Sequence, residues 1–128
     1  MKITMINGLP IVSFLISYQN NTLSLNKVLL DTGCATSVFD TDIIEEVGLS
    51  INHVTGRAVR MYGVGGQSEL CFQQEVSEIS INNITLKNFT LQLGMTRIPY
   101  GFDAILGADF CKKAGIIIDF NELLVTSG

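Results

Sequence analysis

Val28-Leu29-Leu30-Asp31-Thr32-Gly33-Cys34-Ala35-Thr36-Ser37-Val38-Phe39 passes directly from apolar residues into an ionisable side chain. The first three residues read as the end of a buried strand, and Asp-Thr-Gly reads as the turn that follows it. A carboxylate at the end of a buried strand is costly unless it is hydrogen-bonded or used. An isolated Asp-Thr-Gly is ordinarily only a turn, because Asp bonds its own backbone two residues on. Its meaning therefore depends on its surroundings.

Upstream, Ile11 to Tyr18 alternates so that Val12, Phe14, Ile16 and Tyr18 share one face, which is strand periodicity. Gln19-Asn20-Asn21-Thr22 is turn chemistry leading into a second β-like run, Leu23 to Leu30, so a hairpin delivers the chain to Asp31. Downstream, Asp40, Thr41 and Asp42 suit a helix start, Ile43, Ile44 and Val47 its apolar face, and Gly48 its end. Arg57 to Leu70 reads as a hairpin with Gly63, Gly65 and Gly66 at its centre, and Val76 to Ile81 and Ile84 to Leu93 as strands joined by Asn82-Asn83. Ala104 to Leu106 is a short apolar run. Ala108 to Ala114 is a helix with Asp109 near its positive end and Gly115 as its stop, and Ile116 to Phe120 and Leu123 to Thr126 are final strands.

The 128 residues fit one domain, 1–128, with no repeat or linker, and 47% hydrophobic against 16% charged residues supports a packed core. A net charge of -4 supplies no basic stripe for a phosphate backbone, so no nucleic-acid partner is expected. The apolar stretches fall well short of the ~20 residues that span a bilayer, so no membrane partner is expected either. Asn7, Gly8 and Pro10 interrupt any signal-peptide core. Cys34, Cys71 and Cys111 are odd in number and lack metal-type spacing. A cytoplasmic location with reduced thiols, no metal and no cofactor is the expectation.

Leu29, Leu30, Asp31, Thr32, Gly33, Cys34 and Ser37 match the signature of two apolar residues, Asp-Thr-Gly, a small residue and a later Ser or Thr. With them the chain resembles the retropepsins, the retroviral-type aspartic peptidases, in their non-viral single-domain branch. Met61-Tyr62-Gly63-Val64-Gly65-Gly66 looks like the Gly-rich flap of that family. Ile105-Leu106-Gly107, followed by Ala108-Asp109-Phe110, resembles its second apolar-apolar-Gly element. The resemblance implies an all-β half-barrel of the acid-protease type with one or two short helices, homodimeric, acting as an endopeptidase on an extended peptide or protein substrate.

On that reading Asp31 is the catalytic carboxylate, and a water is activated by two carboxylates that share one proton, because close like charges resist ionising together. The chain holds a single Asp-Thr-Gly, so the second carboxylate comes from a second copy across a two-fold axis. By resemblance, Thr32 braces the paired turns, Gly33 lets substrate approach, Ser37 gives structural support, and Met61 to Gln67 closes over the peptide. Retroviral members commonly carry an Asp and an Arg where this chain has Ala35 and Ala108, so the halves are held together by something else. The terminal strands, Lys2 to Ile6 and Leu123 to Thr126, are candidates for interleaving between protomers. The alternative is a catalytically silent, dimeric peptide-binding or scaffold domain of the same fold.

The remaining features read as structural. Cys34 reads as a small buried filler, and Cys71 and Cys111 as core residues. His53 lacks a nucleophile motif and reads as a loop residue, and Gly63 to Gly66 lacks the Lys-Ser/Thr of a phosphate loop. Glu45 with Glu46, and Lys112 with Lys113, read as solvated helix faces.

Overall fold

The computed structural model describes residues 1–62 and 65–127. The chain runs β1 (Thr4–Ile6), β2 (Leu9–Tyr18), β3 (Asn21–Leu30), β4 (Val38–Asp40), α1 (Thr41–Glu45), β5 (Arg57–Tyr62), β6 (Ser68–Ile81) and β7 (Ile84–Gly94). It continues through α2 (Arg97–Tyr100), β8 (Ala104–Leu106), α3 (Ala108–Ala114), β9 (Ile116–Asp119) and β10 (Leu124–Ser127). Strands hold 55% of the described residues and helices 13%, so the all-β expectation holds. No helix among the described residues is long and apolar enough to cross a membrane.

The large sheet has the order β1-β2-β3-β8-β4-β7-β6-β5, and β2 also pairs with β6 through Ile16↔Ile81 and Ser17↔Ser80. That extra pairing closes β2, β3, β8, β4, β7 and β6 into a barrel, which leaves those strands without open edges. The alternation read in β2 holds from Val12 to Ile16, with Val12, Phe14 and Ile16 buried and Ser13 and Leu15 exposed, but not at Ile11, which lies on the other face and is buried too. Val12, Phe14 and Ile16 meet Leu25 and Val28 of β3, Phe39 of β4, Leu91 and Leu93 of β7, and Phe110 of α3 in one apolar cluster. Burial of these side chains contributes about 1.5–3 kcal/mol each and is the main force holding the barrel closed.

Several details depart from expectation. The β2–β3 turn takes its positive φ at Gln19 (46°), not at an Asn, whereas the β6–β7 turn takes it at Asn82 (51°) as its Asn-Asn predicts. The strand expected to begin at Val76 instead runs from Ser68 as one 14-residue element. Its polar centre hides this continuity: buried Gln74 donates to Ser50 O and accepts from Asn52 N, so a polar side chain fills a core position with its bonds made. α2 is a third short helix beyond the one or two expected, over a segment whose Pro99 argues against helix. Helix α1 is shorter than its apolar face suggests, ending at Glu45, and Gly48 lies beyond it at φ 92°. α3 ends as read, with Gly115 left-handed at φ 62°.

The termini form their own sheet. β9 and β10 pair as a hairpin, and the first residues join β10 through the Lys2↔Leu124 bridge, Ile3 N–H to Leu123 O at 2.9 Å and Val125 N–H to Met1 O at 2.7 Å. The N-terminal segment thus pairs with the C-terminal strand of its own chain.

Candidate active site

The topology at the centre of the barrel explains why Asp31 sits where it does. β8 lies between two strands that are close neighbours in sequence: it pairs parallel with β3 (Leu29↔Ile105, Leu30↔Leu106) and antiparallel with β4 (Val38↔Ile105). The segment 31–37 must therefore leave β3, pass over the end of β8 and return as β4. Asp31 N–H donates to Leu106 O at 2.9 Å, and Cys34 N–H donates to Asp31 O at 3.1 Å, which closes the turn.

This turn is fastened to the residues after β8. Ala108 N–H donates to Cys34 O at 2.7 Å. Ser37, fully buried, donates its hydroxyl to Asp109 Oδ1 at 2.7 Å and accepts Gly107 N–H at 2.9 Å. The same Asp109 oxygen accepts Ser37 N–H at 2.9 Å and Phe110 N–H at 2.8 Å. Crossing so closely requires glycine at 107: a Cβ there would lie 2.5 Å from Cys34 O, and backbone offers no room to yield. The sequence marks Asp109 only as a charge at a helix start. Its bond to Ser37 spans 72 residues and has no local signal.

The Asp31 carboxylate is left largely free. Oδ1 accepts Gly33 N–H at 3.1 Å, its single hydrogen bond among the described residues, and the side chain is only partly buried. A Cβ on Gly33 would sit 3.3 Å from that oxygen. Thr32 and Gly33 are exposed, and the Thr32 hydroxyl has no hydrogen-bond partner within the described chain.

Asp31 opens onto a cleft of ≈ 290 Å³ lined by Cys34, Val38, Met61, Tyr62, Gln67, Glu69, Cys71, Thr96, Tyr100 and Ile105. The cleft therefore gathers the Asp31 turn, the middle of β8, the end of the β5–β6 hairpin and α2. Met61 and Tyr62 face Glu69 and Ser68 across that hairpin. Gly65 and Gly66 follow with φ of 95° and 81°, and Gly63 and Val64 lie outside the described residues. Ile105 reaches the cleft, whereas Leu106 and Gly107 position the turn behind it.

Sequence reasoning missed Glu69, Thr96 and Tyr100. Tyr100 donates its hydroxyl to Glu69 Oε1, joining α2 to the hairpin and pushing the phenol's pKa above its ordinary value, chiefly through that hydrogen bond to the acceptor carboxylate. Thr96 is held by Asp40. This buried carboxylate accepts Asp42 and Ile43 N–H with Oδ1 at 3.1 and 3.3 Å, and Thr96 and Arg97 N–H with Oδ2 at 3.1 and 2.9 Å. Asp40 as the cap of α1 was expected; its second oxygen, which ties down the start of α2, was not.

The cysteines split. Cys34 is half-buried at the cleft, where its thiol donates to Thr36 O at 3.1 Å, so it is less enclosed than a core filler. Burial raises its pKa above the ordinary range, outweighing that backbone bond, and Asp31 and Asp109 raise it further. Cys71 is buried as expected yet faces the cleft, and Cys111 is half-buried on α3. Burial also raises both of these thiols. His53 lies exposed in the loop before β5, edge-on to Phe72 with ring centres 5.4 Å apart.

Residues 19–110 match the family described as aspartyl protease, a span that contains the Asp31 turn, the β5–β6 hairpin and the Gly107–Asp109 crossing. No curated protein matches the chain. The family match covers well over half of the sequence, and the chain belongs to that family.

Proposed function

We propose that this aspartyl protease family member is an endopeptidase whose active site forms when two copies bring their Asp31 carboxylates together. The observation that carries this is the state of Asp31. It is pinned through its backbone, partly exposed at a cleft, and short of hydrogen bonds on a carboxylate that a buried structural role would saturate.

In the dimer the two carboxylates share one proton, since adjacent like charges resist ionising together. The ionised member takes a proton from a water held between them, and that water's oxygen bonds to the scissile carbonyl carbon. The protonated member donates to the carbonyl oxygen. Collapse of the tetrahedral intermediate breaks the C–N bond as the leaving nitrogen receives a proton, and no acyl-enzyme forms. The β5–β6 hairpin acts as the flap, pairing with an extended peptide and excluding water. Val38, Met61 and Ile105 offer apolar walls beside the dyad, which favours apolar side chains at the scissile bond.

Two features support assembly. The outer edge of β9 has no strand partner among the described residues, and Ile117 and Phe120 beside it are 55% and 59% exposed. The exposed Thr32 hydroxyl is available to a partner turn. Because the N-terminal segment already pairs within its own chain, β9 is a better candidate for the contact than interleaved termini.

The test is cleavage of a peptide library from acid to neutral pH by the protein and its Asp31→Asn variant, with sedimentation at several concentrations. Cleavage by the native chain alone, accompanied by a dimer, supports the reading. A strictly monomeric protein, or one that cuts nothing, overturns it and favours a silent peptide-binding domain.

A further inference from the structure

Resting on the peptidase reading, the geometry points to Glu69 as a specificity-determining residue that selects a Lys or Arg side chain of the substrate at a subsite beside the apolar ones. The charges lining the cleft are unbalanced. Asp31 and Glu69 are both acidic, and among the described residues no Lys, Arg or His lines the same cavity. The nearby arginine on the hairpin does not compensate. In the β5–β6 register Arg60 faces Leu70, whereas Met61 faces Glu69 and Val59 faces Cys71, so strand alternation puts Arg60 on the opposite face. Its guanidinium is directed to Ser68 Oγ at 3.3 Å.

Glu69 is also half satisfied. Tyr100 takes Oε1, which orients the carboxylate, and Oε2 has no hydrogen-bond partner among the described residues. A carboxylate oriented by a neutral donor, with one oxygen open to a peptide cleft and no cation of its own, is an acceptor for a cationic side chain. In a symmetric dimer each half of the cleft presents one such group. The apolar walls contributed by Val38, Met61 and Ile105 then serve the residues at the scissile bond, and Glu69 a residue further along the peptide.

The experiment uses the intact protein and octapeptides carrying an uncleavable hydroxyethylene group at the central bond. A single Lys is walked along the sequence, and each peptide is compared with norleucine at the same position by calorimetric titration. We expect two symmetry-related positions, one on each side of the scissile bond, where Lys binds about tenfold tighter than norleucine, the size of one charge-assisted hydrogen bond. Glu69→Gln should remove that preference, and Tyr100→Phe, which keeps the charge, should preserve most of it. No position preferring Lys, or a preference that survives Glu69→Gln, overturns the proposal. Equal weakening of Lys and norleucine peptides by Glu69→Gln also overturns it, by reducing Glu69 to a brace for Tyr100. Binding is read without turnover, so a protein that selects Lys but cuts no peptide refutes the peptidase reading and leaves this one standing.

Discussion

Asp31 and Asp40 stand at the ends of β3 and β4, two strands that flank β8. Asp31 accepts one hydrogen bond and faces a cleft, whereas Asp40 is 4% exposed and accepts four backbone N–H groups. The same residue type thus serves as an anchor in one place and stays open in the other. A carboxylate whose lone pairs are filled by fixed donors is an anchor, holding the starts of α1 and α2 together. One whose lone pairs are left open, at the opposite end of β8, remains available to a water, a proton or a partner.

The sharpest way to break this contrast is to remove each charge in turn. Asp31→Asn is expected to lower peptide cleavage by about a thousandfold or more, as loss of an acid–base group does. Its urea midpoint should hold, shifting stability by no more than about 0.5 kcal/mol, because no buried partner is orphaned. Asp40→Ala should do the reverse in kind, costing about 3 kcal/mol in urea unfolding, since its N–H partners at two helix starts lose their acceptor. A large stability loss at Asp31 or a negligible one at Asp40 would collapse the distinction.

Asp109 lies between these extremes, because it is structural but fastens the Asp31 turn. Asp109→Ala should cost about 2 kcal/mol, leaving Ser37 without its acceptor, and should slow cleavage through a loosened turn. Thermal melts read beside kcat/KM will separate the two effects. Unchanged kcat/KM in a destabilised variant would show that the Ser37–Asp109 bond does not position Asp31.

The smallest expected effect is at the cleft rim. Tyr100 should ionise at higher pH than a free tyrosine, whose pKa is 10.0, in a spectrophotometric titration, and Glu69→Gln should bring it back down. The sign follows from the raised value: the protonated phenol is favoured when folded, so its contribution is full below pH 10 and is lost as pH rises through the shifted pKa. Tyr100 is half exposed, so solvent screening keeps the effect on stability slight.

Much of the barrel was readable because its signals are local. The two-residue period of β2, the Asn82-Asn83 turn and the Gly115 stop each depend on a few neighbouring residues whose conformational preferences survive in the fold. β6 was cut short because Gln73, Gln74 and Glu75 break the apolar pattern, and only the loop around Ser50 and Asn52 supplies the partners that let Gln74 be buried. α2 was invisible for a similar reason, since a four-residue helix containing Pro99 has little propensity of its own and is held at its start by Asp40.

The position of the free carboxylate is a local matter. Apolar strand residues followed by Asp-Thr-Gly place Asp31 at a strand end in a turn, and steric and hydrogen-bonding preferences over a few residues suffice for that. Its surroundings follow from the closed barrel: which carboxylates are saturated and which are open, that Ser37 meets Asp109, and that Glu69 and Tyr100 share its cleft. Those pairings join residues far apart in the chain, and they exist because closing the barrel buries apolar side chains from every strand at once.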